Sequence, residues 1–592
     1  MGADRPFVDP VATINEYLSQ ADWRVQANAN QGFSLGGMIL NTSGKITANW
    51  WLSHAFSEKA GKAHRNGDYH IHDLDMLCGY CAGWSLRMLL EEGFNGIPGK
   101  VETWPPKHLS SATGQMVNFM GSLQNEWAGA MAFSSVDTLL APFVKVDGLS
   151  FKEVKQAIQV LIFNLNVPSR WGSQTVFSNC TFDLTCPTDM KDRKPIIGGT
   201  EQDFTYGELQ AEMDLVNMAY MEVMYEGDAK GRIFTFPIPT YNITEEFDWD
   251  SPVAEKLFEM TAKFGMPYFQ NFLNSDLNPE DVRSMCCRLQ LSLTELRKRG
   301  NGLFGSAEQT GSIGVVTLNM ARLGYRYAGK KDKVVARIKE LVELASEVLE
   351  TRREVVTGLL DKGFLPFTKR YLGTFRNHFS TIGTNGMNEF VLNYTDGAYG
   401  IQDDRGKELA MELLGVLRHE LEAVQQRTGN MYNLEATPAE SATYRMARLD
   451  HKVSPESHFA GAREPYYTNS SQLPVDATTD FVEALEHQTD LQRQYTGGTV
   501  FHLFVGERIE TTESCKKLVR RVLSRFKIPY LTITPTFSIC PEHGYLAGEQ
   551  QICPECGARC EVWTRVMGYH RPVTEFNRGK RSEYEQRKMF TV

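Results

Sequence analysis

Residues 540–572 read CPEHGYLAGEQQICPECGARCEVWTRVMGYHRP, and the rest of the chain is best understood outward from this stretch. Cys540 and His543 have two residues between them, and so do Cys553 and Cys556. Each pair makes one tight knuckle. Together the pairs present three thiolates and one imidazole, a closed tetrahedral zinc set. Gly544 and Gly557 follow the knuckles, where a turn favours a residue without a Cβ. A closed set of four protein ligands shapes backbone and leaves no open coordination position for chemistry, so the zinc is expected to be structural. Cys560 falls outside the spacing. A zinc ribbon of this kind can also serve as a nucleic-acid-binding module, a reading that calls for a basic surface.

Directly after the knuckles come Arg565-Val566-Met567-Gly568-Tyr569, with Gly568 24 residues from the C-terminus. This resembles the glycyl-radical signature. Only glycine has two α-hydrogens and no side chain. Loss of one hydrogen leaves a planar radical, stabilised by the flanking amide nitrogen and carbonyl. The continuation through Val573-Thr574-Glu575-Phe576-Asn577-Arg578-Gly579-Lys580 resembles the tail of class III, anaerobic ribonucleotide reductases. Five further stretches are similar to the same family, in the family's order: His70-Ile-His-Asp-Leu-Asp75, Asn125-Glu-Trp-Ala-Gly-Ala130, Ser284-Met-Cys-Cys-Arg-Leu289, Thr310-Gly-Ser-Ile-Gly-Val-Val-Thr317 and Asn433-Leu-Glu-Ala-Thr-Pro-Ala-Glu-Ser441. The resemblance runs from about residue 20 to the end.

The resemblance implies an α/β fold built as a ten-stranded barrel, two five-stranded parallel halves set antiparallel to each other. Residues 1–536 would form this catalytic barrel with an effector region at a dimer interface, and 537–592 the zinc module and glycyl loop. It implies reduction of ribonucleotides, taken as triphosphates, to 2′-deoxyribonucleotides. Gly568 would store the radical. A cysteine of the Cys286-Cys287 pair, with Cys287 preferred, would carry the transient thiyl radical. Cys81 would donate hydrogen on the opposite face. Cys78 lies three residues from Cys81, and on a strand that spacing turns its side chain the other way. Cys78, Cys180, Cys186 and Cys286 stay open as a third, shuttle cysteine. Formate-using relatives carry Asn 21 residues after the thiyl cysteine, whereas here that count from Cys287 reaches Glu308. A carboxylate there can take the proton of the ribose 3′-hydroxyl. The chain therefore resembles the subgroup reduced by a thioredoxin- or glutaredoxin-like dithiol; formate is the alternative, as is another glycyl-radical activity such as a dehydratase or acyltransferase.

Phosphate binding is expected at two helix starts, whose free N–H groups attract anions. One is opened by Thr437 with Pro438 in its first turn, and offers Thr437, Ala439 and Ser441. The other is the glycine-rich turn Thr384-Asn385-Gly386. The resemblance further places a nucleotide effector (a deoxynucleoside triphosphate or ATP) near Gln115 and Lys145 of a homodimer. It also implies an iron–sulfur activase that uses S-adenosylmethionine, and cleavage of the activated chain by oxygen near Gly568. The His70–Asp75 stretch comes too early to leave space for the family's N-terminal ATP-sensing domain, so control by dATP through that domain is not expected.

The bulk properties agree with an enzyme of this kind. The chain has 592 residues, 42% hydrophobic and 23% charged, with a formal net charge of −10. That balance argues against a polyanionic nucleic-acid or membrane partner. No apolar signal segment or membrane-length run is visible. Eleven cysteines without an export signal suit a reducing, cytoplasmic setting. Apolar residues recur at helical spacing over 334–349 and 409–424. Short apolar runs at 233–241, 312–320, 499–505 and 528–534 read as strands buried on both faces.

Overall fold

The computed structural model describes residues 8–277, 282–285, 289–292 and 309–592. Ten strands form one path: β2 (Cys81–Trp84), β3 (Met131–Phe133), β4 (Ser178–Phe182), β5 (Ile238–Ile243), β6 (Tyr268–Asn271), β9 (Gly311–Asn319), β10 (His378–Asn385), β11 (Tyr432–Glu435), β12 (Phe501–Val505) and β13 (Tyr530–Pro535). A short β1 (Tyr69–Ile71) pairs antiparallel with β9. A hairpin, β7 (Val282–Met285) with β8 (Leu289–Ser292), lies off the path, and β7 runs beside β3.

Strands β2 to β6 are mutually parallel. So are β9, β10 and β11, and so are β12 and β13. The first set meets the others antiparallel, at β2–β9 and at β6–β13. The remaining gap, between β11 and β12, is bridged by backbone bonds from Gly497 N–H to the Leu434 carbonyl (2.7 Å) and from Ala436 N–H to the Gly498 carbonyl (3.0 Å). The order and the antiparallel seams agree with the expected barrel of two parallel halves.

Each parallel link needs a long crossover, and the helical periodicity supplies it. The 334–349 pattern lies inside the helix Lys331–Asp361, where Val334, Ile338, Leu341, Ala345, Val348 and Leu349 are buried. The 409–424 pattern lies inside Asp404–Thr428, which Asp403 caps at its start and Gly429, at φ 70°, ends. Three of the four expected strands sit nearly where the apolar runs are. The fourth begins at Ile238 rather than 233, because Pro237 has no N–H to give to a ladder.

The strands are buried on both faces as expected, yet the faces differ in chemistry. Phe269, Leu531, Ile533, Leu503 and Tyr241 join the apolar core under the surrounding helices. Their alternates face the other way. These include Gln270, Thr532, His502 and Thr240, all buried. The barrel interior is thus polar, and Gln270, Asn385 and Asn433 have buried amide atoms without a hydrogen-bond partner among the described residues. Buried polar groups are normally satisfied, so this lumen is built for something other than packing.

After β13 the chain forms a second sheet: β14 (Phe537–Cys540), β15 (Gly544–Ala547), β16 (Glu561–Arg565) and β17 (His570–Pro572), ordered β15-β14-β16-β17. Phe537, Ile539 and Trp563 belong to the same apolar core as the barrel strands. The C-terminal segment returns to the barrel, with Phe590 N–H on the Phe504 carbonyl at 2.8 Å. Among the described residues no helix is long and apolar enough to cross a membrane.

Candidate active site

The zinc-type ligands come together as the spacing predicts. The donor atoms of Cys540, His543, Cys553 and Cys556 all lie within 4.8 Å of one another. Cys540 Sγ is 3.6 Å from Cys556 Sγ and 3.7 Å from His543 Nδ1, and Cys553 Sγ is 3.5 Å from the same Nδ1. Those separations are close to the edges, about 3.5–3.8 Å, of a tetrahedron with zinc–ligand bonds of about 2.0–2.3 Å. The donor set and its geometry therefore fit zinc. The other ring nitrogen of His543 lies 3.5 Å from Glu555, the carboxylate–histidine arrangement that orients a ligand imidazole. Gly544 and Gly557 have φ of 71° and 73°, which a side chain would strain. Cys560 lies beside the cluster but its Sγ faces the Ala558 carbonyl at 3.7 Å.

Gly568 sits at the tip of the β16–β17 hairpin, where Arg565 faces His570 in the ladder and Val566 N–H donates to the Tyr569 carbonyl at 3.0 Å. A glycine tip of a hairpin is ordinarily exposed. This one is buried, as are residues 562–570 throughout. The Tyr268 hydroxyl donates to the Gly568 carbonyl at 2.6 Å. Arg565 anchors the base of the hairpin: its guanidinium donates to the carbonyls of Gly265 (2.7 Å) and Met266 (2.6 Å) and stands 4.6 Å from the Tyr268 ring centroid. Tyr569 packs on Phe177 and Phe236, at 5.6 and 5.8 Å between ring centroids.

Phe177 leads on to Cys81, which packs with Ala130 and Ala132 against Phe177 and Tyr80. Gly129 leaves room beside it, since a Cβ there would stand 2.9 Å from Cys81 Sγ. Phe177 thus touches both Tyr569 of the hairpin and the cluster that holds Cys81. Cys78 is on an irregular bend before β2, not on the strand. The face-alternation argument against it therefore does not apply; burial pushes its thiol up to about 12. Cys180 and Cys186 are buried in the outer apolar core. Cys286, Cys287 and Glu308 lie outside the described residues, the first two between β7 and β8.

The expected phosphate helix differs from its sequence reading. It spans Ser441–Val453, so Thr437 and Pro438 precede it. Thr437 instead bonds Thr317, Oγ1 to Oγ1 at 3.0 Å, and Ala439 N–H donates to Asn469 Oδ1 at 3.0 Å. Side-chain partners in the barrel outcompete the helical turn here. A Cβ at Gly383 would overlap Thr437 Oγ1, which makes that contact possible only for glycine. Thr384 bonds the Tyr495 hydroxyl at 3.0 Å, and Gly386 N–H donates to the Thr468 carbonyl at 2.9 Å. The buried Asn385 amide has no hydrogen-bond partner among the described residues. Gln115 donates to the Trp104 carbonyl at 2.9 Å, and Lys145 lies 3.9 Å from Glu212, so the two meet different neighbours.

A cavity of about 450 Å³ opens beside Ser441. Six cations line it: Arg24, Lys45, Arg170, Arg445, Arg448 and Lys452. Two histidines join them. Arg445 donates to the His64 carbonyl at 2.6 Å, and its guanidinium lies 3.5 Å from His70 Nδ1. Burial holds His64 and His70 well below the usual imidazole range, with neighbouring positive groups adding to the effect. His70 stacks edge-on against His72, which is pushed down to about 3 by burial and bonds Thr317 Oγ1 at 2.8 Å. Neutral imidazoles therefore connect the cavity to the lumen. Sequence reasoning passed over these cations, although Arg445, Arg448 and Lys452 stand three and four apart on the helix that Ser441 begins, which places them on one face.

Comparison with known proteins follows the same lines. Residues 27–590 match the family described as anaerobic ribonucleoside-triphosphate reductase. The protein of that name from Escherichia coli (strain K12) is 22% identical, over 92% of this chain and 80% of its own. That of Enterobacteria phage T4 is 23% identical, over 89% and 90%. The anaerobic ribonucleotide reductase of Thermotoga maritima, solved in complex with dATP and CTP, superposes with a TM-score of 0.75 at 20% identity, over 98% of this chain and all of that one. Hydroxyproline dehydratase of Clostridioides difficile superposes with a TM-score of 0.54 at 10% identity, over 99% of this chain and 78% of that one.

Proposed function

The chain belongs to the family of anaerobic ribonucleoside-triphosphate reductases, and on that footing we propose that it turns ribonucleoside triphosphates into 2′-deoxyribonucleotides with a dithiol as reductant, using Gly568, Cys287, Cys81 and Glu308. Gly568 stores the unpaired electron and regains a hydrogen from Cys287. The Cys287 sulfur then takes the 3′-hydrogen of the ribose. Glu308 accepts the 3′-hydroxyl proton while the 2′-hydroxyl, protonated by a thiol of the reductant, leaves as water. Cys81 gives a hydrogen atom to C2′, and its sulfur radical joins the resulting thiolate as a disulfide radical anion. That anion passes one electron to the 3′-ketone as Glu308 returns its proton to O3′. Cys287 then returns its hydrogen to C3′ and retakes one from Gly568, and the second thiol of the reductant releases Cys81 from the disulfide. The sum balances: ribonucleotide and dithiol become deoxyribonucleotide, disulfide and water. The observation that carries this reading is the buried tip of the hairpin, where a glycine whose carbonyl accepts from Tyr268 is joined through the rings of Tyr569 and Phe177 to the cluster that holds Cys81.

The basic cavity is the place for the polyphosphate. Its volume is that of a nucleotide-sized pocket, and its guanidinium groups suit bidentate phosphate contacts. Of the expected phosphate residues only Ser441 lines it, so Arg445 and Arg448 take the roles first given to Thr437 and Ala439. Zinc at Cys540, His543, Cys553 and Cys556 supplies cross-linking alone and holds β14 and the β16–β17 hairpin in place. A homodimer, a nucleotide effector, a separate radical-generating activase and a thioredoxin- or glutaredoxin-like donor complete the proposal.

The test is anaerobic. Activated protein is assayed with thioredoxin in one vessel and formate in another, and turnover with formate alone overturns the role of Glu308. The organic radical doublet in paramagnetic resonance should vanish in Gly568→Ala. It should persist in Cys287→Ala and Cys81→Ser, both without turnover. A Cys287→Ala protein that still reduces nucleotides refutes the relay.

A further inference from the structure

Glycine offers a reactive Cα but no side chain by which to hold it, so its position depends entirely on its neighbours. On one side the Tyr268 hydroxyl takes the Gly568 carbonyl. On the other the hairpin is held through Tyr569, whose hydroxyl donates to Glu440 Oε2 at 2.8 Å. The second oxygen of the same carboxylate accepts the Ala29 N–H at 2.6 Å. Glu440 is 8% exposed. Its backbone carbonyl accepts the Asn577 side chain at 3.1 Å, and that same amide group also reaches the Ala27 carbonyl at 3.1 Å.

The place of Glu440 in the chain gives this contact its meaning. The next residue, Ser441, lines the basic cavity and begins the helix that carries Arg445 and Arg448. Ala27 and Asn28, next to Ala29, form part of the cavity wall. We propose that Glu440 is a positioning residue, tying the Gly568 hairpin to the wall of the nucleotide cavity so that the glycine is held at its working distance from the cysteines. The proposal rests on the assignment of Gly568 and the cavity made above. Glu440 touches neither substrate nor the reacting atoms, and it acts through Tyr569. Misplacement of a reacting atom by about 1 Å can cost about a hundredfold in rate. A single tie is therefore enough to matter.

The variants are Tyr569→Phe, which removes one oxygen and leaves the packing, Glu440→Ala, and Glu440→Gln. Glutamine can keep both contacts, accepting from Ala29 and donating to the phenol oxygen. The first readout needs no radical: amide hydrogen exchange over residues 566–569 in the unactivated full chain. Tyr569→Phe and Glu440→Ala should exchange about tenfold faster there, or more, with the helix Lys331–Asp361 unchanged, and Glu440→Gln should exchange no faster than wild type. The second readout is turnover per spin after anaerobic activation, which should fall about tenfold in the same two variants while spins per chain hold. Wild-type exchange at 566–569 in Tyr569→Phe overturns the proposal, as does a parallel fall of spins and turnover. If residue 568 proves to carry no radical, the assignment of Gly568 fails, and the exchange measurement still decides whether Glu440 holds the hairpin.

Discussion

Two ionisable side chains around the hairpin make separate predictions at the scale of the residue. Arg565 is buried, and its guanidinium serves the carbonyls of Gly265, Met266 and Ile533 as well as Thr534 Oγ1. Arg565→Met keeps much of the volume and removes a charged donor from several buried acceptors. A loss of about 2–4 kcal/mol is expected, readable in urea melts under anaerobic conditions. Glu440 behaves differently. Burial raises its carboxyl to about 7 against the hydrogen bonds from Ala29 and Tyr569 and the charges of Lys580 and Arg571. An opened hairpin returns the acid to about 4.3. The closed form thus binds more protons between these values, so closure is favoured most below about pH 4 and weakens as pH rises to about 7, with little change above. Amide exchange at 566–569, corrected for its intrinsic pH dependence, should show this extra opening in wild type, and Glu440→Gln should remove it. A flat difference between the two proteins across that range would refute it.

At the scale of the element, the second sheet is held at one end by the four knuckle ligands and at the other by apolar contact with the barrel core. Metal analysis should find one zinc per chain. Cys553→Ser should lose it, and Cys560→Ser should keep it, since Cys540, His543, Cys553 and Cys556 already complete a four-ligand set. Stripping the metal with a chelator should raise exchange in β14 and β15 before the barrel strands respond, because metal-binding free energy is folding free energy for such a site. The knuckles and the long helices were legible in the sequence because their residues are neighbours along the chain. The helix after β11 was misplaced by about one turn, for the opposite reason. Thr437 finds Thr317, 120 residues away, and that bond draws it out of the helical start its own sequence suggests.

At the scale of the whole molecule, the chain is acidic and yet lines one cavity with six cations against two carboxylates, Asp73 and Asp75. The local field there should dominate the net charge. Arg445→Ala and Arg448→Ala are each expected to raise KM for the nucleotide about tenfold or more with a smaller effect on kcat, since a charged hydrogen bond to phosphate is worth about 1.5–3 kcal/mol. The penalty should shrink as salt is added. Equal losses in kcat and kcat/KM would instead place these side chains in the transition state alone.

The amino-acid sequence by itself determined the knuckle ligands, the glycine after them, the order of the family's motifs and the periodicity of the principal helices. All of these depend on spacings of a few residues, which covalent geometry converts directly into shape. Only the tertiary structure decided that Arg24, Arg170 and Arg445 share a cavity, that the barrel interior is polar, and that Glu440 grips the residue next to Gly568. Those pairings join residues more than a hundred positions apart, and the burial that assembles them is non-directional. No local pattern encodes which distant side chain it will bring alongside.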